Sequence, residues 1–282
     1  MRMIFVLFTF YAAFFSSGSF AQMTMIWKND TAFRGPESVV YDRQNNCLYV
    51  SDFNRNPKNG ENYSNDCVSK VDLKGTVTEK EFVGNLTSPT GLCIHNGKLY
   101  IVERFGIIQF NIANKQVETR YRINGPGFIN DIAVNDTGDI YVTVSDKEMI
   151  YRIHNGAVEK WLESPELAGI NGIIVDDDRL IVGITGDSCL KSITLNDKKI
   201  GIIARFPSGT LDGVKKYGKG YLVSHFEGNI YCVGNDGKVT ELLNTREQKY
   251  YCADFEFIEE QGLFVIPALR NNSLVAYRYN PM

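Results

Sequence analysis

The chain has 282 residues, a formal net charge of −3 and acidic and basic residues interspersed along it, which excludes a basic nucleic-acid-binding surface. Apolar residues make up 44% and aromatics 12%, ample for a packed core. Beyond the N-terminus no apolar run approaches the length of a membrane span.

In chain order, the first element is a targeting segment. Arg2 supplies a small positive start, Ile4 to Phe15 form an apolar run too short to span a membrane comfortably, and Ser19-Phe20-Ala21 gives a small-x-small cleavage site before Gln22. Residues 1–21 read as a secretory signal peptide, so the protein is expected to be secreted or periplasmic, with no membrane span after cleavage. Next comes "MTMIWKN" (Met23 to Asn29), a strand-like stretch with no partner nearby in sequence.

Six segments with one grammar follow. They are "PESVVYDRQNNCLYVSDF" from Pro36, "PTGLCIHNGKLYIVERF" from Pro89, "INDIAVNDTGDIYVTVS" from Ile129, "INGIIVDDDRLIVGITG" from Ile170, "LDGVKKYGKGYLVSHFEGNIYCV" from Leu211 and "ADFEFIEEQGLFVIPALRNNSLVAYRY" from Ala253. Each has a short apolar strand, a turn rich in Asn, Asp, Gly or Glu, and a second strand of the LYVS or IYVT kind. A third strand comes after a polar turn, as in "MIYRIHNGAVEKWL". The turns hold residues that tolerate positive φ and the strands are β-branched and aromatic. No long segment carries a helical period. Strand-only repeats of this length predict an all-β fold, a six-bladed β-propeller in one domain over residues 22–282. The last repeat runs out after three strands at Tyr279, so the orphan strand at Met23–Asn29 is expected to complete the sixth blade and remove an open edge.

Two features interrupt the pattern. The first repeat carries an insertion, "NRNPKNGENYSNDC" from Asn54 to Cys67, expected to be a polar loop. The six cysteines, Cys47, Cys67, Cys93, Cys189, Cys232 and Cys252, are dispersed; Cys47–Cys67 and Cys232–Cys252 are conceivable disulfides on neighbouring strands, and buried free thiols are equally compatible.

Just before the expected first strand of each repeat stands a polar residue: Glu37, Thr90, Asn130, Asn171, Asp212 and Asp254. From Thr90 onward the spacings are 40, 41, 41 and 42 residues, one repeat each. The first strand of every propeller blade lines the central channel, so these six should form a ring at one mouth. Asn and Asp also stand at strand entrances to make Asx-turns, which is the competing reading at any one position. Carboxylates and amides crowded together favour a cation between them. The donors are all hard oxygens, which suits Ca²⁺, Mg²⁺ or Mn²⁺ better than a structural Zn²⁺.

In the order and spacing of "PESVVYD…LYVSD", "INDIAV…GDIYVT", "INGIIV…DRLIV", "LDGV…GYLVS" and "LFVIP…NSLVAYRY", the chain resembles the senescence marker protein, gluconolactonase and luciferin-regenerating enzyme family of six-bladed propellers. The resemblance runs from about Pro36 to Tyr279. It implies one divalent metal, calcium first and Mg²⁺, Mn²⁺ or Zn²⁺ as alternatives, held by Glu37, Asn171 and Asp212. It further implies a substrate contact at Asn130 and a second role for Asp212 as general base. The chain departs from the sugar-lactone-hydrolysing members at Phe128, where those members carry Arg, which implies an apolar face toward the substrate. Arg104 is a further candidate substrate contact; for Arg104 and His225, a solvated arginine and a packed histidine are the competing readings.

The expected function is a metal-dependent hydrolase, acting as a monomer on a lactone or similar small ester, with Asp212 and Asn130 as catalytic groups. A non-catalytic propeller that binds a ligand or partner, with a structural metal or none, is the alternative from another class. A strictosidine-synthase-like propeller is a third reading, which would not require this acid and amide set.

Overall fold

The computed structural model describes residues 22–53, 66–125 and 127–280. They form six four-stranded antiparallel sheets, the blades of a propeller. Blades 1 to 5 each take four consecutive strands, over residues 36–86, 92–122, 129–163, 170–205 and 211–244. The innermost strands are Pro36–Asp42, Leu92–His95, Ile129–Val134, Ile170–Asp176 and Leu211–Tyr217, and in blade 6 the short Glu256–Ile258.

Blade 6 is closed as the sequence predicted. The strand Gln22–Asn29 lies antiparallel to Ser273–Asn280, from Gln22 opposite Asn280 to Asn29 opposite Leu274. It is also tied to blade 1. Trp27 Nε1 donates to the Leu73 carbonyl at 2.9 Å, and Asn29 Nδ2 donates to the Gly75 carbonyl at 2.9 Å. The Trp27 ring covers Gly75, where a Cβ would come within 2.5 Å of it, and Gly75 holds φ +85°. Glycine is therefore needed there both for space and for backbone conformation.

The apolar residues form six clusters, one at each junction between neighbouring blades. At the closing junction, Val39, Leu48 and Val50 of blade 1 meet Val265, Leu274 and Ala276 of blade 6, all buried. Each sheet thus covers both faces, which explains why second strands such as "CLYVSD" are buried at every position rather than alternately.

Register decides between the two readings of the cysteines and corrects one expectation about the insertion. All six cysteines are free. Cys67 pairs with Asp52 at one end of the second strand of blade 1, whereas Cys47 pairs with Asp42 at the other, so the length of a strand separates the two thiols. Cys232 lies within a strand opposite Leu222, while Cys252 sits in the segment leading to blade 6 with its N–H on the Phe226 carbonyl. The insertion is also shorter than read, because Asp66 and Cys67 already belong to the third strand of blade 1. The signal-peptide reading of residues 1–21, and residues 54–65 of the insertion, lie outside the described residues. Among the described residues no helix is long and apolar enough to cross a membrane.

Candidate active site at one end of the channel

Four inner strands break register at the same place. Pro36 faces Asp52 and Val39 faces Val50, so that Glu37 and Ser38 together oppose the single residue Ser51. The same two-against-one bulge puts Asn130 and Asp131 opposite Thr143, Asn171 and Gly172 opposite Gly183, and Asp212 and Gly213 opposite Ser224. A bulge re-aims side chains and frees a backbone N–H from the ladder. In three blades a hydroxyl takes that N–H: Ser51 Oγ accepts from Ser38 at 2.9 Å, Thr143 Oγ1 from Asp131 at 3.0 Å, and Ser224 Oγ from Gly213 at 2.7 Å. The ring residues therefore do not precede the first strand, as expected from sequence; in these four blades they are its second residue, turned by the bulge. Thr90 and Asp254 do precede theirs.

The residue after the ring position is glycine in blades 2, 4 and 5 for a steric reason. A Cβ on Gly91 would lie 2.5 Å from Asp131 Oδ1, one on Gly172 2.0 Å from the Asp212 carbonyl oxygen, and one on Gly213 2.5 Å from Asp254 Oδ1. Each of these three blades leaves room for the ring segment of the next.

All six ring residues are buried. Asp212, 5% exposed, has an Oδ1 without a hydrogen-bond partner among the described residues. Burial first, then Asp254 and Asp131, hold its carboxyl well above the usual carboxylate range. Asn130 Nδ2 donates to Ser145 Oγ at 3.0 Å, and that hydroxyl donates to the Ile170 carbonyl, tying blade 3 to blade 4. Asp254 joins three blades: Oδ2 accepts from Ser38 Oγ at 2.6 Å, and Oδ1 pairs with Lys215 Nζ at 2.9 Å.

Three of the charged groups here were not singled out from the sequence. Lys215 extends from the inner strand of blade 5 among Asp254, Glu256 and Asp131. Burial opposes its charge, but those carboxylates hold it protonated, above the ordinary lysine value. Asp131 accepts from the Ile132 N–H at 2.8 Å and from the Ile173 N–H of blade 4 at 2.9 Å. Burial and Asp254 still push it up to about 7. Glu256 accepts from the Tyr41 N–H at 3.0 Å and is raised, chiefly by burial. The available signal was a lysine in "VKKY" and an aspartate in "NDI", charges within strands whose neighbours are buried.

Phe128 and Arg104 do come together. They line a cavity of about 320 Å³ with Ser88, Gly127, Ile129 and Asp146, beside the ring at blades 2 and 3. His225 is the packed histidine: it is wholly buried, with Arg246 Nη2 2.7 Å and Glu227 Oε2 3.0 Å from Nδ1, and burial lowers its pKa.

Among the described residues no three His, Cys, Asp or Glu side chains gather as a metal-holding group; the set expected here is of another kind, two carboxylates with an amide. The donors at Glu37, Asn171 and Asp212 fit a hard divalent cation. The observation that tests the fit is the orphaned Oδ1 of Asp212, a buried oxygen that needs a proton or a cation.

No family model matches the sequence, and no curated protein does. Solved structures share the fold. A gluconolactonase from Xanthomonas campestris superposes with a TM-score of 0.71 at 17% identity, over 88% of this chain and 87% of that one. The virginiamycin B lyase of Staphylococcus aureus, solved as a catalytically inactive variant with quinupristin, gives 0.65 at 14% identity, over 91% of this chain and 99% of that one. An auxiliary nutrient binding protein from Bacteroides ovatus gives 0.69 at 14% identity, over 89% of this chain and 70% of that one. The class is thus the six-bladed propeller, and the expected likeness to gluconolactonases is met at the level of the fold.

Proposed function

We propose that the protein is an exported, divalent-metal-dependent hydrolase of a lactone or related small ester. The observation that carries this reading is Asp212, a buried carboxylate at the channel mouth with one oxygen unpartnered and its proton affinity raised. Glu37, Asn171 and Asp212 would hold the cation, which when bound polarises the substrate carbonyl and lowers the pKa of water. Asp212 takes the proton of the attacking water, a role suited to a carboxylate raised by its surroundings. Asn130 has two amide N–H groups; one is engaged by Ser145, and the other donates to the oxygen on which negative charge develops. Cleavage after Ala21 would leave the closing strand Gln22–Asn29 whole, which is compatible with export.

The test is metal analysis of purified protein together with a lactone screen with and without chelator. Turnover that is abolished by chelator and restored by a divalent ion is expected. Retention of metal and turnover in both Glu37→Ala and Asp212→Ala would refute the assignment.

A further inference from the structure

We infer that the cavity between Arg104 and Phe128 receives an apolar arm of the substrate, so that the preferred substrate is a lactone or ester bearing a hydrocarbon side arm rather than a polyhydroxylated one. This inference rests on the hydrolase reading and names the substrate class for the same site.

Two large aromatic side chains stand in water at the ring end of neighbouring blades: Phe128 is 50% exposed and Phe105 52%. Leaving such rings uncovered forgoes the gain from burying apolar surface that a ligand could supply. Both are held in place through the backbone. The Phe128 N–H donates to Asp146 Oδ1 at 2.7 Å, and its carbonyl accepts from the Ser145 N–H at 3.0 Å. The Phe105 carbonyl accepts from the Ile123 N–H at 3.0 Å. Gly127 makes the first of these bonds possible: its φ is +81°, and a Cβ there would lie 2.2 Å from Asp146 Oδ1. The backbone that carries Phe128 into the cavity is therefore set before any ligand arrives, which reduces the ordering cost of binding.

The wall is continuous with the ring. Ile129 lines the cavity, and the next residue is Asn130. At about 320 Å³ the space lies at the lower end of the range for small-molecule sites. On one side Phe128 and Ile129 carry no side-chain hydrogen-bonding group and cannot replace the water that sugar hydroxyls would surrender. The polar groups are confined to Ser88, Arg104 and Asp146, whose Oδ1 is already taken by the Phe128 N–H. On the facing side Arg104 lies over Phe105, 5.7 Å from the ring centroid, and no carboxylate pairs with it among the described residues. Its guanidinium is thus placed to donate to a carbonyl or ether oxygen carried by the arm.

The experiment uses the full mature chain with divalent metal and a series of γ-lactones whose alkyl arms lengthen by one methylene, beside a polyhydroxylated lactone of the same ring size. The expected result is a kcat/KM that rises about three- to fourfold per methylene. Phe128→Ala should flatten that slope, and Phe128→Arg should turn the preference toward the hydroxylated lactone, both with unchanged metal affinity. A preference of the wild type for the hydroxylated lactone, or an unaltered slope in Phe128→Ala, overturns the inference. If no lactone turns over at all, the hydrolase reading has failed, and equilibrium binding of the same alkyl series decides the cavity separately. Binding that strengthens with arm length and weakens in Phe128→Ala supports it, and equal binding by both proteins rejects it.

Discussion

Asp212 and Asn130 share a strand position but have different environments, and the difference predicts separable losses. Asp212 has an unpartnered oxygen beside other carboxylates, whereas Asn130 is already anchored to Ser145. Asp212→Ala and Glu37→Ala should each lower metal affinity by more than the about 10–100-fold that loss of an outer-shell partner costs, as read by competition with a chelating dye. Asn130→Ala should keep that affinity and lower kcat by about 10²–10³-fold, the scale of a lost oxyanion donor. The same buried acids set a pH dependence. Asp131 and Asp212 are raised in the fold, so their contribution to stability is whole below the unfolded carboxylate value of about 4 and is lost as pH rises. For Asp131 the loss runs through about 7. Thermal unfolding of chelator-treated protein should therefore shift downward over that interval, and Asp131→Asn should flatten the shift. His225 acts with the opposite sign: burial lowers its pKa, so it opposes folding as pH falls below the ordinary histidine value of about 6.5.

The inner strand is the element that converts a repeat into a site. Its bulge costs one ladder bond, which Ser51, Thr143 and Ser224 replace with a hydroxyl. The glycine after the ring residue admits the next blade. Gly172→Ala should cost at least the about 1–3 kcal/mol typical of overpacking, measured by urea denaturation, because the Asp212 carbonyl occupies the space. The closing strand is the second decisive element. Deleting residues 22–29 would expose the edge of Ser273–Asn280 and remove the bonds of Trp27 and Asn29 to blade 1. The expected outcome is self-association in light scattering with a lowered melting temperature. Much of this was legible beforehand. "LYVS" and "IYVT" announced the second strands, and "TGL", "NGI" and "DGV" carried the ring residue with its glycine. The bulge was not legible, because an inner strand buried on both faces has no alternation for an extra residue to interrupt.

At the scale of the whole ring, charge balance across the channel joins parts of the chain that are distant in sequence. Lys215 comes from blade 5, Asp254 and Glu256 from blade 6, and Asp131 from blade 3. Lys215→Met would leave those carboxylates without their ammonium and should destabilise the fold, by less than the cost of about 3–5 kcal/mol for breaking a fully buried pair, because the lysine is 20% exposed. The loss should shrink in acid, where protons can replace the lysine, and chemical denaturation at two pH values would show it. By itself the sequence determined the six repeats, the closing strand, the ring of oxygen donors and their one-per-blade spacing, because these depend on period and residue type, which are local properties. Only the tertiary structure decided that the ring residues are turned inward by bulges, that Asp212 keeps an unpartnered oxygen, that Lys215 stands among the channel acids, and that Phe128 and Arg104 share one cavity. Each of those depends on distances between blades, and such distances exist only once the ring has closed.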